Sequence, residues 1–243
     1  MGKLDAKVAV VTGGGSGIGK GIAHGLAKAG CNVVIAGRGT KSLTEAAAQI
    51  QTSGGRLVPI ATDVTNEEQV IGMFRRTMEL FGRLDILVNN AGLVQGGPLD
   101  ELAAEVWDRV IATNLRGPFL CTREAMRVMK RQGSGRIINI GSISAQRPRM
   151  NSGPYSVSKF GIWGLTIVTA LEGREFGISA SCLHPGNVRI DDHPYEGPVP
   201  ESEPKMKVEE IAEAAVLMAS LPPHVNMLEA IVLPVKQAYL ARG

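Results

Sequence analysis

Aromatic residues are scarce in this chain: two Trp, three Tyr and five Phe, 4% of 243 residues. Single-stranded nucleic acids are held by stacking bases on aromatic platforms, so that class of partner is poorly supplied. Charge of one sign is lacking too. Lys and Arg number 26 against 23 Asp and Glu, a net charge of +3, too even for a surface that tracks phosphates. Cysteine is limited to Cys31, Cys121 and Cys182, odd in number, far apart and without a C-x-x-C, so neither a disulfide framework nor a zinc site is encoded. No apolar run approaches the roughly 20 residues of a membrane span. The start, Met1-Gly2-Lys3-Leu4-Asp5-Ala6, has neither a signal-peptide core nor a myristoylation pattern. These absences predict a soluble, cytoplasmic protein with neither nucleic acid nor membrane as partner.

What is present is a 44% hydrophobic chain, enough for a large core, with 30 glycines. Short β-rich runs alternate with helix-length segments from end to end. The strands read Val8–Val11, Asn32–Ala36, Leu57–Ala61, Ile86–Asn89, Arg136–Ile140, Ser179–Leu183 and Leu228–Leu233. Most are continuously apolar, as expected where helices cover both faces of a parallel sheet. Helical segments read Gly17–Ala29, Thr40–Thr52, Asn66–Phe81, a long stretch Leu99–Gln132, Tyr155–Phe176 and Val208–Ser220. Gly30, Gly54 and Gly82 follow helix ends, and Asn66-Glu67-Glu68 opens a helix with acid in its first turn. The alternation predicts an α/β Rossmann fold in a single domain: a doubly wound parallel sheet of about seven strands. No repeat or linker divides the chain. One segment breaks the pattern: Asn187–Pro204, with four prolines and five acids, reads as a loop over the active face, a short substrate lid at about 187–205.

The run Thr12-Gly13-Gly14-Gly15-Ser16-Gly17-Ile18-Gly19 follows the first strand and opens the first helix. Glycines there let backbone N–H groups approach a pyrophosphate at a helix N-terminus, whose dipole favours an anion; Gly19 allows close helix–sheet packing. A glycine cluster alone is weak evidence, but the strand before it and the helix after it are the required context. The second strand ends Ile35-Ala36-Gly37-Arg38, where an NAD enzyme carries an acid for the ribose 2′-hydroxyl. Arg38 is a planar fork suited to a 2′-phosphate, hence NADP(H) over NAD(H); the alternative is a solvated arginine. Asp63, after the third strand, is placed to meet an adenine amino group or to cap a loop.

Tyr155 and Lys159 lie four apart, on one helix face. A free tyrosine, with a pKa of about 10, shuttles protons poorly near neutrality. A neighbouring ammonium favours the phenolate, and lowering the pKa by about 3 units corresponds to roughly 4 kcal/mol. Y-x-x-x-K alone is a frequent accident. It gains weight from Ser142, thirteen residues earlier, whose hydroxyl opens onto the carboxyl edge of the sheet. Asn114 interrupts an otherwise helical run, either for function or to bend or cap the helix.

With these residues the chain resembles the short-chain dehydrogenase/reductases, from about Lys7 to Ala219. The likeness rests on T-G-x-x-x-G-x-G at Thr12–Gly19, on Asn89-Asn90-Ala91-Gly92, on Ser142, Tyr155 and Lys159 with Asn114, and on Pro185-Gly186. It implies hydride transfer between a nicotinamide and a small carbonyl or secondary alcohol. Tyr155 is then the general acid/base and Ser142 polarises the substrate oxygen. Lys159 binds the nicotinamide ribose and lowers the Tyr155 pKa, while Asn114 holds a relay water. Gly13, Ser16, Gly17 and Ile18 contact the pyrophosphate and adenosine ribose. Asp63 and Val64 flank adenine, Asn90, Ala91 and Gly92 the adenosine ribose, and Pro185, Gly186 and Val188 the nicotinamide. A homodimer or homotetramer is also implied.

The chain departs from the family at Ile190, where a hydroxyl residue is usual, and at Ser16, which replaces a basic residue of many NADP users. Rival readings are a 3-oxoacyl thioester reductase and, from another class, a dinucleotide-sensing regulator without turnover. The four intact proton-transfer residues disfavour the regulator. Arg123, Arg127, Lys130 and Arg131 form a basic stripe, solvated, subunit-facing or a carrier-docking surface. Arg147 and Arg149 are placed to meet an anionic substrate. His184 reads as structural or cofactor-facing, and Trp163 and Leu165 as core or subunit-packing residues.

Overall fold

The computed structural model describes residues 4–50, 52, 55–190 and 203–239. Its strands are β1 (Val8–Thr12), β2 (Asn32–Gly37), β3 (Leu57–Ala61), β4 (Ile86–Asn89), β5 (Gly135–Ile140), β6 (Ile178–Pro185) and β7 (Glu229–Val232). They form one seven-stranded parallel sheet in the order β3-β2-β1-β4-β5-β6-β7. The order reverses beside β1. Chain connections leave β1 for one side of the sheet and β4 for the other, which opens a crevice above the carboxyl ends of both strands.

The helices are α1 (Gly17–Lys28), α2 (Thr40–Gln49), α3 (Glu67–Phe81), α4 (Ala104–Ile111), α5 (Gly117–Gln132), α6 (Gly153–Gly173) and α7 (Val208–Ser220). Strand side chains alternate between two apolar layers. Ala9, Val11, Val33, Ile35 and Val88 pack with Ile22 and Leu26 of α1 and Ile211 and Met218 of α7. Val10, Val34, Ala36 and Leu87 pack with Met73 and Phe74 of α3 and Leu120 and Met129 of α5. Burial on both faces is why these strands are continuously apolar in sequence.

Local signals place most boundaries. Asn66 caps α3 by accepting from the Gln69 N–H at 3.0 Å, and Gly82 ends it in the left-handed region at φ 70°. Gly54 lies outside the described residues. The stretch Leu99–Gln132 differs from expectation. Helix begins only at Ala104, and a π turn at Ala112–Arg116 separates α4 from α5. The base of the expected loop at Asn187–Pro204 is pinned. Val188 forms a parallel bridge with Met206, with Arg189 N–H donating to Met206 O and Met206 N–H to Asn187 O, both at 2.8 Å. Residues 191–202, the body of the expected lid, lie outside the described residues.

Candidate active site

The glycine turn begins where β1 ends. Gly13 adopts φ 67° and Gly17 φ 49°, both in the left-handed region. A Cβ on Gly19 would sit 2.2 Å from Gly13 O and 2.3 Å from Asn90 Nδ2, so only glycine lets α1 start this close to the turn. Ser16 is the N-cap of α1 without a capping side-chain bond, and the first turn holds no acid. The first amides of α1 are thus not capped by Ser16, and no carboxylate competes for an incoming anion. The Thr12 hydroxyl accepts from Asn90 N at 3.0 Å and Ala91 N at 3.1 Å. Asn90 Nδ2 donates to Thr12 O at 3.0 Å. Asn90 therefore ties the loop after β4 to the glycine turn.

At the adenosine end, Arg38 is exposed just beyond β2 and no acid stands at Gly37. Ser42 lies alongside: its hydroxyl would be 3.1 Å from a Cβ on Gly15. Asp63 Oδ1 accepts from the backbone and hydroxyl of Thr65, at 2.9 and 2.8 Å, in an Asx turn. Val64 is buried and packs against Gly117.

The candidate proton-transfer residues converge above β5. Ser142 opens a short 3-10 turn, Ile143–Ala145, and its Oγ accepts from Ser144 N at 3.1 Å. That leaves the hydroxyl proton unclaimed by the turn, and the hydroxyl sits beside the Tyr155 phenol. Burial raises the Tyr155 pKa above its ordinary value, and the nearby Ser142 hydroxyl pulls it partly back. The expected lowering by Lys159 is not seen: the net direction is upward, and Lys159 is not among its causes. Lys159 Nζ donates to Ile140 O at 2.8 Å and lies 5.5 Å from the Tyr155 ring centroid. Burial, opposed by Cys182, pushes the Lys159 ammonium down to about 8.

Asn114 is buried in the π turn, a feature frequent at functional sites. Its Oδ1 accepts from Leu93 N at 2.7 Å, and its Nδ2 donates to Leu93 O at 2.8 Å and Ser158 Oγ at 3.2 Å. It pins the strand-β4 loop to α6, one turn from Tyr155. Pro185 and Gly186 end β6 beside Val188. Asn187 N–H donates to Gln237 Oε1 at 3.0 Å, and a Cβ on Gly186 would meet the same oxygen at 2.2 Å. Gln237 supports this loop from fifty residues away, and no local pattern marks it.

Three other features read from the sequence find partners within the chain. Arg149 is ion-paired with Glu203 at 2.9 Å, and Asn187 Nδ2 donates to the same carboxylate at 2.7 Å, so Arg149 braces the loop. In the basic stripe, Arg123 pairs with Glu67 at 2.7 Å and Arg127 with Glu124 at 2.8 Å, while Lys130 lies over the Phe176 ring. His184 is fully buried and bonded to the Ser142 backbone, the structural alternative. Among the described residues, no helix is long and apolar enough to cross a membrane. A cavity of about 750 Å³ beside the turn is lined by Gly17, Lys20, His24, Ile190 and Lys207, not by the proton-transfer trio.

The family described as short chain dehydrogenase matches residues 7–193. An uncharacterized oxidoreductase of Staphylococcus saprophyticus is 38% identical over 237 residues, covering 97% of this chain and all of that protein. A short-chain type dehydrogenase/reductase of Mycobacterium ulcerans superposes with a TM-score of 0.89 at 29% identity, over 95% of this chain and 89% of its own. An alcohol dehydrogenase of the archaeon Thermococcus sibiricus, complexed with 5-hydroxy-NADP, does so at 0.86 and 29%, over 95% and 97%. Family match, sequence identity and structural superposition agree, and the chain belongs to the short-chain dehydrogenase/reductase family of oxidoreductases.

Proposed function

We propose that this protein is an NADP(H)-dependent carbonyl reductase or alcohol dehydrogenase, with Tyr155 as its general acid/base. One observation carries the reading: the Ser142 hydroxyl, the Tyr155 phenol and the Lys159 ammonium converge above β5, on the sheet edge where α1 offers its amides. The residues fit a dinucleotide phosphate. The α1 N-terminus receives the pyrophosphate, and Arg38 receives the 2′-phosphate where no acid opposes it. When bound, the nicotinamide supplies or takes up the hydride. The chain's own residues handle the proton. Ser142 orients the substrate oxygen by hydrogen bonding. Burial keeps the Tyr155 phenol protonated at neutral pH, ready to donate to that oxygen as it gains negative charge. Lys159, still mostly an ammonium below about 8, stabilises the phenolate left behind.

The NADP-bound archaeal relative supports the cofactor assignment. Nothing favours a carrier-bound acyl thioester over a simple ketone, because Arg123 and Arg127 of the basic stripe are engaged with acids. Phe119 of α5 and Val157, Phe160, Val168 and Leu171 of α6 are each about half exposed along one apolar face. That face supports self-association as a homodimer or homotetramer.

The test is a panel of simple ketones, sugars, hydroxy acids and 3-oxoacyl thioesters read by NADPH absorbance. Tyr155→Phe keeps the ring and removes the proposed proton donor. Turnover should fall by orders of magnitude with NADPH affinity retained; near-normal turnover refutes the mechanism.

A further inference from the structure

His184 ends the apolar core of β6 with no exposed surface, and a buried imidazole must find partners. Both contacts of its Nδ1 are to one residue: Ser142 N at 3.2 Å and Ser142 O at 2.9 Å. Whichever ring nitrogen carries the proton, the ring therefore holds the backbone of Ser142, as acceptor from its N–H or as donor to its carbonyl. On the other side Nε2 lies 3.3 Å from Glu229 Oε1 of β7, close enough for an ion pair but without a hydrogen bond. That same oxygen accepts from Gln146 Nε2 at 2.8 Å. Ser142 and Gln146 flank the 3-10 turn Ile143–Ala145, so His184 and Glu229 grip both ends of the turn that presents the serine hydroxyl.

The surroundings are shaped for this ring. A Cβ on Gly141 would lie 2.5 Å from His184 Nδ1, so the residue before Ser142 has to be glycine for the imidazole to reach it. Trp163, on the helix of Tyr155 and Lys159, meets the ring edge-on at 6.1 Å between centroids and 68° between planes. Resting on the functional reading above, we propose that His184 is a positioning residue for Ser142. Seated against Glu229, it fixes the serine backbone and thereby the direction of the hydroxyl that orients the substrate carbonyl.

The experiment uses the full chain with NADPH and the panel carbonyl that the wild type reduces fastest. His184→Phe keeps a ring and loses the hydrogen bond; His184→Asn keeps a donor and an acceptor near Nδ1. A serine displaced by about 1 Å is expected to lower kcat of His184→Phe about 10- to 100-fold. NADPH affinity, read by fluorescence, should stay within about threefold, and His184→Asn should recover most of the loss. Because the effect passes through the serine, Ser142→Ala/His184→Phe should be no slower than Ser142→Ala alone. Should His184→Phe fail to fold, Glu229→Leu repeats the test from the solvent side, with kcat falling several-fold at unchanged cofactor affinity. Losses that multiply in the double variant, or that appear equally in NADPH affinity, overturn the inference. So does a normal kcat in His184→Phe, or in Glu229→Leu, beside a crippled Ser142→Ala. An unimpaired Ser142→Ala instead refutes the functional reading, and this inference with it.

Discussion

Lys159→Met separates the electrostatic cost of burying Lys159 from its proposed catalytic use. Burial brings the ammonium from an ordinary 10.5 down to about 8. Between those values the folded chain binds fewer protons at this site than the unfolded chain, so folding stability contributed by Lys159 rises with pH there. Below pH 8 both states are protonated and the full desolvation penalty is felt. Each pH unit over which the folded chain holds one proton fewer is worth about 1.36 kcal/mol, so the gain between pH 7 and 9.5 comes to about 2 kcal/mol. Met cannot titrate, so the variant has no such dependence at this position. The lost bond to Ile140 O adds an offset that does not depend on pH. The measurement is urea unfolding of both proteins at pH 7, 8, 9 and 9.5, with the variant subtracted from the wild type to cancel other titrations. The wild type should gain about 2 kcal/mol on the variant across the series. A flat difference, or one that falls with pH, refutes the claim that a charged Lys159 is held in a desolvated site. Turnover should collapse in the variant at every pH.

Other substitutions probe separate links. Arg38→Ala should weaken NADPH binding roughly tenfold, about 1.5 kcal/mol for one charge-assisted contact, and leave NADH unchanged; equal losses by calorimetry would remove Arg38 from the 2′-phosphate. Gly19→Ala forces a Cβ against Gly13 O and should abolish cofactor binding or folding, read by circular dichroism and NADPH fluorescence; a stable, binding variant contradicts the packing. At Asp85, burial raises the carboxyl pKa, but bonds from Arg83, Val8 N–H and Lys7 outweigh it and hold the pKa below the ordinary carboxylate value. Its stabilisation is therefore complete above the unfolded pKa and lost as pH falls through the folded one. Asp85→Asn should be less stable near neutrality and converge on the wild type in acid, by thermal unfolding across pH.

Local chemistry explains why so much of the fold is legible in sequence. Strands buried on both faces read as apolar runs, the N-cap at Asn66 and the left-handed Gly82 bracket α3, and the glycine turn is written in eight consecutive residues. Tyr155 and Lys159 share a helix face by spacing alone. The π turn is not legible in the same way. Asn114 marks an irregularity, but its bonds to Leu93 lie twenty-one residues back.

The sequence by itself determined the alternation of elements, the site of the glycine turn and the shared helix face of Tyr155 and Lys159, because each depends on periodicity or neighbours within a few positions. Only the tertiary structure decided who holds whom. Ser142 meets His184 across forty-two residues, Asn187 meets Gln237 across fifty, and Arg149 meets Glu203 across fifty-four. These pairings follow from the placement of β6 between β5 and β7, a matter of strand order and register. The same placement buries the Lys159 ammonium against Ile140 O, so desolvation rather than helix spacing sets its proton affinity.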